Sequence, residues 1–136
     1  MDNNSKENFD FSNWGLSKAW QFRFEFYEKN GWPKFKNTAK FKENFKLLPL
    51  KQRIIVTGNF FACFGPLYFL CMGMWRKAIV LWIFLFLMDE IIIVCGGSRG
   101  ILICFNVILS MSIANTAYYL HRVKKSKSFN IFEGMF

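Results

Sequence analysis

Charge is almost missing from the middle of this chain: residues 54 to 120 of the 136 contain only Arg76, Lys77, Arg99, Asp89 and Glu90. Histidine occurs once, as His121, and proline three times. The four cysteines, at 63, 71, 95 and 104, have no CxxC spacing and no clustered histidines beside them, so a zinc or redox site has little support. No phosphate-cradling glycine loop, no Ser/His/Asp set and no paired catalytic carboxylates in a soluble region can be found. We therefore expect no enzyme and nominate no catalytic, cofactor or metal residues. The first 53 residues hold no 7-residue apolar run, which argues against a signal peptide and leads us to expect the amino end retained as made. No fixed-period repeat is visible.

What the chain does have is apolar and aromatic: 53% hydrophobic, 20% aromatic, 18 Phe and a net charge of +9. Length allows one domain at most. A disordered chain would combine high charge with low hydrophobicity, and a soluble domain of this size builds its core with far fewer aromatics. The class that fits is a small basic membrane protein. Residues 1–53 carry 11 Lys/Arg against 6 Asp/Glu, and the tail from 121 is basic again through Arg122, Lys124, Lys125 and Lys127 against Glu133. The chain thus divides into a basic membrane-surface part at 1–53, a membrane part at 54–120 and a basic cytoplasmic tail at 121–136.

Three hydrophobic blocks fill the middle: 54–75, 78–95 and 101–120. At about 1.5 Å per residue each is long enough for a hydrocarbon core of roughly 30 Å. Cations collect on the cytoplasmic side of membrane proteins, and both ends of this chain are basic, so an even number of crossings is expected. The first block is the one to demote, because Pro66 lacks a backbone donor and Gly65 beside it favours a bend. It reads as a broken helix or re-entrant hairpin that returns to its starting side, the alternative being an ordinary kinked span. The other two blocks form a transmembrane hairpin closed by Gly96, Gly97, Ser98, Arg99 and Gly100, whose glycines suit a turn with positive φ. Reflection about residue 98 places Glu90 opposite Asn106 and Trp82 opposite Ala114. Ser110 and Ala114 make a small-xxx-small pair on which the two helices should pack.

In the amino half, residues 17–29 alternate like a strand yet also place Trp20, Phe24 and Tyr27 on one helical face. Helix is preferred, with Ser17 as cap and Asn30, Gly31 and Pro33 as stop. A second helix is expected from Thr38 to Leu48, capped by Asn37, stopped by Pro49, with a Phe41, Phe45, Leu48 stripe among Lys36, Lys40, Lys42 and Lys46. Such a basic, aromatic helix suits the anionic cytoplasmic leaflet, so membrane lipids are the expected partner rather than nucleic acid. The first 12 or so residues, rich in Asn and Asp, are expected to be disordered. Asp89 and Glu90 are the groups of most interest, since ionisable residues inside a membrane are costly and often functional. Pairing with Arg99 or Asn106 and an ion or proton relay are the two roles weighed. Cys95 and Cys104 flank the outer turn but are expected as buried free thiols, and His121 as an interfacial side chain at a span end.

The segments LSKAWQFRFEFYEKNGWP at 16–33 and LPLKQRIIVTGNFFACFGPLYFLCMGMWRKA at 48–78 resemble small bacterial inner-membrane proteins of the enterobacterial YigF/YigG type, a family of unknown function. The most specific parts are Phe64, Gly65 and Pro66 with Tyr68, and Gly73, Met74, Trp75, Arg76 and Lys77. The last span is similar more loosely, through Ala114, Asn115, Tyr118 and Tyr119. The resemblance implies an inner-membrane location and a cytoplasmic amino-terminal region, and no activity. Cys63 departs from it, and Asp89 and Glu90 lie outside its motif. The expectation is an all-α integral membrane protein of amphipathic cytoplasmic helices, a Gly-Pro-broken or re-entrant first block and a two-helix hairpin. Its expected role is non-enzymatic and interactive, with a membrane-protein partner or a second copy. The alternative is a small transporter or channel lined by Asp89, Glu90, Asn106 and Ser110.

Overall fold

The computed structural model describes residues 10–136, which are helical with no strand among them. The expected disorder of the first dozen residues falls mostly outside this range. The chain forms two compact units, one from residues 10–33 and 37–56, the other from Lys34–Lys36 and Thr57–Phe136.

In the first unit, helix α1 spans Lys18–Asn30, with Ser17 at its N-cap position and Gly31 ending it at φ +85°. The helical reading of this stretch holds because burial follows the 3.6-residue period: Phe24 and Tyr27 are buried on one face. Helix α2 spans Ala39–Leu47, and its cap is Thr38, whose hydroxyl accepts from the Phe41 N–H. Asn37 does not cap it, because the β-region backbone that a cap needs occurs one residue later. The aromatic stripe of α2 also departs from expectation. Phe41 is buried edge-on against Phe26 of α1, with Phe45 stacked on Phe41, so much of that face meets protein. Pro49 stops α2 and opens helix α3, Leu50–Thr57, by accepting from Gln52 and Arg53 through its carbonyl. Two carbonyls in the last turn of α3 are then satisfied from α1: Arg23 donates to Ile55 and the Tyr27 hydroxyl donates to Val56. Arg23 is held in place over the Trp20 ring. Burial pushes the Tyr27 phenol well above its ordinary range, so it is a donor at neutral pH.

The expected block 54–75 begins as the last turn of α3 in the first unit; its remainder, in the second unit, is broken as the Gly and Pro content requires. A 3₁₀ turn at Phe60–Phe64 leads to Gly65, and helix α4, Pro66–Cys71, starts with proline at its first position. Gly65 has φ +59° and ψ −131°, a conformation closed to residues with a Cβ. Long helices follow: α5, Trp75–Val94, and α6, Arg99–Arg122. Of the described helices, α6 alone is both long and apolar enough to cross a membrane; α5 contains Arg76, Lys77, Asp89 and Glu90.

The path of the broken segment is read off α6. Asn115 donates to the Gly58 carbonyl at 3.0 Å. A Cβ at Gly65 would lie 3.6 Å from Ser110 Oγ, and one at Gly73 would lie 3.8 Å from His121 Nε2. The segment therefore runs along α6 from Asn115 to Ser110, turns at Gly65, and comes back to His121, a traverse of about 16 Å between positions 110 and 121. Asn59 ties its two arms together by donating to the Tyr68 hydroxyl at 2.7 Å.

This hairpin changes how α5 and α6 meet. The Ser110 and Ala114 face was expected to receive α5 directly, with Trp82 opposite Ala114. Instead α6 packs mainly on the 3₁₀ turn and α5 mainly on α4, and direct α5–α6 contact is slight. Ala114 is buried while Trp82 is 71% exposed. The α5–α6 turn is also tighter than expected, because Arg99 and Gly100 already belong to α6 and only Gly96 has a positive φ. All four cysteines are free, but Cys71, Cys95 and Cys104 are exposed rather than buried. After α6 the tail folds back: Phe129 meets Trp75, Phe132 meets Phe84, and Arg76 donates to the Lys127 carbonyl.

Candidate functional site: a polar pocket at the hairpin apex

Where the broken segment turns, its apex faces the far halves of α5 and α6 and borders a half-open cavity of about 530 Å³. Phe64, Gly65 and Pro66 supply one wall, Trp82, Leu85 and Phe86 another, and the polar groups are Asp89, Asn106 and Ser110. A break at Gly-Pro is what lets backbone approach this closely, since Gly65 offers no side chain toward Ser110.

Asn106 Nδ2 donates to Asp89 Oδ2 at 3.1 Å. The partner of Asn106 is thus Asp89 and not Glu90, one residue off the reflection, because the turn closes on Gly97 before α6 begins. Glu90 is exposed on the other side of α5, and Arg99 forms no ion pair among the described residues. Asp89 Oδ1, Asn106 Oδ1 and Ser110 Oγ are buried and have no hydrogen-bond partner. Buried polar atoms are rarely left so, each costing about 1–3 kcal/mol.

The remaining residues singled out from sequence fall elsewhere. Ala114 lies one turn from Ser110, outside the pocket. Gly73, Met74, Trp75, Arg76 and Lys77 line a second cavity of about 310 Å³ with His121 and residues 126–128. There Lys77, 2% exposed, pairs with Glu133 at 2.7 Å, and Ser126 donates to the same carboxylate. Partial burial alone would raise the Glu133 pKa, but the hydrogen bonds from Lys77 and Ser126, with the Lys77 charge, outweigh it and hold the carboxyl below its usual range. From sequence, Lys77 is singled out as part of the Gly73–Lys77 motif and has no assigned partner. The signal was present, since Glu133 is the one acidic residue after 120, but the folded-back tail that joins them was not visible.

A family described as "protein of unknown function (DUF2628)" matches residues 5–125. The chain belongs to this family. It is 33% identical to the uncharacterized protein YigF of Salmonella typhimurium over 124 residues, covering 89% of this chain and 94% of that relative. It is 40% identical to the uncharacterized protein YigF of Escherichia coli strain K12 over 67 residues, 48% of this chain and 53% of the relative. No solved structure matches it. The apex pocket lies wholly inside the DUF2628 span, whereas the Lys77 cavity draws Ser126, Lys127 and Ser128 from beyond it, as Lys77 does its partner Glu133.

Proposed function

We propose that this DUF2628 protein is a non-enzymatic component of the bacterial inner membrane, with α6 as a spanning helix, α5 crossing beside it with its four charged side chains toward its two ends, and residues 58–73 as a re-entrant segment between them. It acts by binding, as an accessory or regulatory subunit, and the apex pocket is its ligand site. One observation carries the reading: the second unit has a broad apolar exterior, with polar side chains buried among its apolar core. Phe61, Leu67, Trp82, Phe86, Ile103 and Ile108 are each more than half exposed, while Ser110, Asn115 and Thr116 are fully buried. Water selects against so large an apolar exterior, and a bilayer selects for it together with inward polar groups. The cations near the paired ends of the hairpin, Arg76, Arg122, Lys124, Lys125 and Lys127, suit the anionic lipids of the cytoplasmic leaflet.

Alkaline carbonate washing of membranes tests the placement: the chain should stay with the pellet, and release into the supernatant overturns it. Crosslinking in native membranes followed by purification tests the role, with a chain that is always alone counting against it. The second reading, a transport component, is favoured by Asp89, Asn106 and Ser110 meeting where the re-entrant segment turns. In proteoliposomes it requires a flux that Asp89→Asn abolishes and Glu90→Gln, facing away from the pocket, leaves unchanged.

A further inference from the structure

We propose that the apex pocket binds a lipophilic primary ammonium compound, with the charged head held by Asp89, Asn106 and Ser110 and the hydrocarbon lying among Trp82, Phe86 and Leu67. The inference deepens the binding role proposed above and rests on it.

Asn106 donates one amide N–H to Asp89 Oδ2, and its own oxygen is left without a partner. Asp89 Oδ1 and Ser110 Oγ are likewise buried without a partner, and all three residues line the same cavity. Two of these three atoms accept only, and the single serine proton cannot serve both. The unpartnered atoms are thus mainly acceptors, set against one remaining Asn106 N–H and the serine proton, beside a carboxyl group in an apolar groove. A primary ammonium group brings three N–H donors and one positive charge, so it answers the three oxygens and the carboxylate together. An alcohol brings one donor, and a carboxylate or phosphate brings repulsion. A bare divalent ion takes six or more oxygens, about twice what converges here. The volume, about 530 Å³, is that of an organic-ligand pocket and far exceeds what an ion fills.

The walls say the rest of the ligand is hydrocarbon. Apart from the three polar residues the lining is apolar or a thiol, and Trp82 and Phe86 offer aromatic faces to a cation. Trp82 and Leu67 are 71% and 65% exposed, so the mouth opens on the apolar exterior and not toward the charged end of the molecule. A ligand arriving through hydrocarbon must be lipophilic.

The test is titration calorimetry of the full chain in detergent with n-hexylammonium, n-hexanol, n-hexanoate and hexyltrimethylammonium. Hexylammonium should bind saturably, one per chain, while hexanol and hexanoate do not saturate. Hexyltrimethylammonium, with the charge but no N–H, should bind about tenfold or more weakly. Asp89→Asn should abolish binding and Ser110→Ala should weaken it by about tenfold, with helix content and thermal midpoint confirming that each variant is folded. If Asp89→Asn does not fold, the Ser110→Ala result and the trimethyl comparison decide. Equal binding of all four probes, or hexylammonium binding indifferent to Ser110→Ala, overturns the inference. So does the absence of any hexylammonium binding, which points instead to a proton shared within the Asp89 cluster. Failure here with the chain still held through a carbonate wash sinks the ligand assignment alone, whereas release by carbonate sinks the membrane placement beneath it.

Discussion

Lys77 shows how a residue chosen for its charge comes to act through its burial. Its ammonium is nearly inaccessible and meets Glu133, which is 29% exposed and also receives Ser126. Removing one member of a buried pair leaves the other charge uncompensated. We expect Glu133→Gln to cost about 2 kcal/mol, less than for a fully buried pair because the carboxylate keeps some water, and Lys77→Met with Glu133→Gln to recover most of it. The pH dependence has a definite sign. The folded pKa of Glu133 is depressed, so the pair's contribution is complete above the unfolded carboxyl value of about 4.3 and is lost as pH falls through the folded value. Thermal melts in one detergent from neutral pH down to below about 4 check this: the double variant should lose part of the acid sensitivity of the parent, and equal acid sensitivity would refute the linkage.

Turns in this protein are decided by what a glycine excludes. A Cβ on Gly97 would stand 2.3 Å from Ile92 Cγ2 and 2.9 Å from the Ile92 carbonyl oxygen, and backbone cannot move aside cheaply. Gly100 is different: it sits in the first turn of α6, where a Cβ would meet only Ser98 Oγ, at 3.7 Å. Gly97→Ala should therefore destabilise by about 1–3 kcal/mol, and Gly100→Ala should be neutral or stabilising by up to about 1 kcal/mol, since alanine favours helix over glycine. Melting of the two variants side by side is the check, and the same shift in both would show that the turn tolerates Cβ atoms. All three glycines looked equivalent in sequence. Their difference lies in which of them is already helical.

For the whole chain, the decisive experiment is topology. The proposed arrangement puts both termini and the start of α5 in the cytoplasm and residues 96–100 outside, because 11 Lys/Arg precede the first block, Arg76 and Lys77 follow it and 4 occupy the tail, against Arg99 alone at the far turn. In a background without Cys63, Cys71, Cys95 and Cys104, a single cysteine at 98 should react from outside intact cells. Cysteines at 30, 75 and 126 should react only after the cells are opened, position 75 being chosen because Trp75 is exposed where Lys77 is buried. Labelling at 75 from outside would mean that residues 54–75 cross fully, and the re-entrant segment would be lost as an interpretation. The path of that segment along α6, from Asn115 to Ser110 and back to His121, is what makes protection the expected outcome.

The helices were legible in the amino acids because their signals are local. A 3.6-residue aromatic period, Gly31 and Pro49 as stops, and a Gly65-Pro66 break each act within a few residues of themselves. Family membership was legible for the same reason, resting on short motifs such as Gly73 to Lys77. Partners were not legible, because they depend on how distant segments meet. Whether Asn106 would find Asp89 or Glu90 turned on a single residue of register at the Gly97 turn. Whether Ser110 would face α5 or Gly65 turned on the 58–73 hairpin packing on α6. Lys77 met Glu133, 56 positions away, only because the tail reverses after α6. Residue chemistry therefore selected helix, break and apolar exterior, and tertiary packing alone assembled the apex pocket, since three unpartnered oxygens from two helices become one site only when a third segment closes over them.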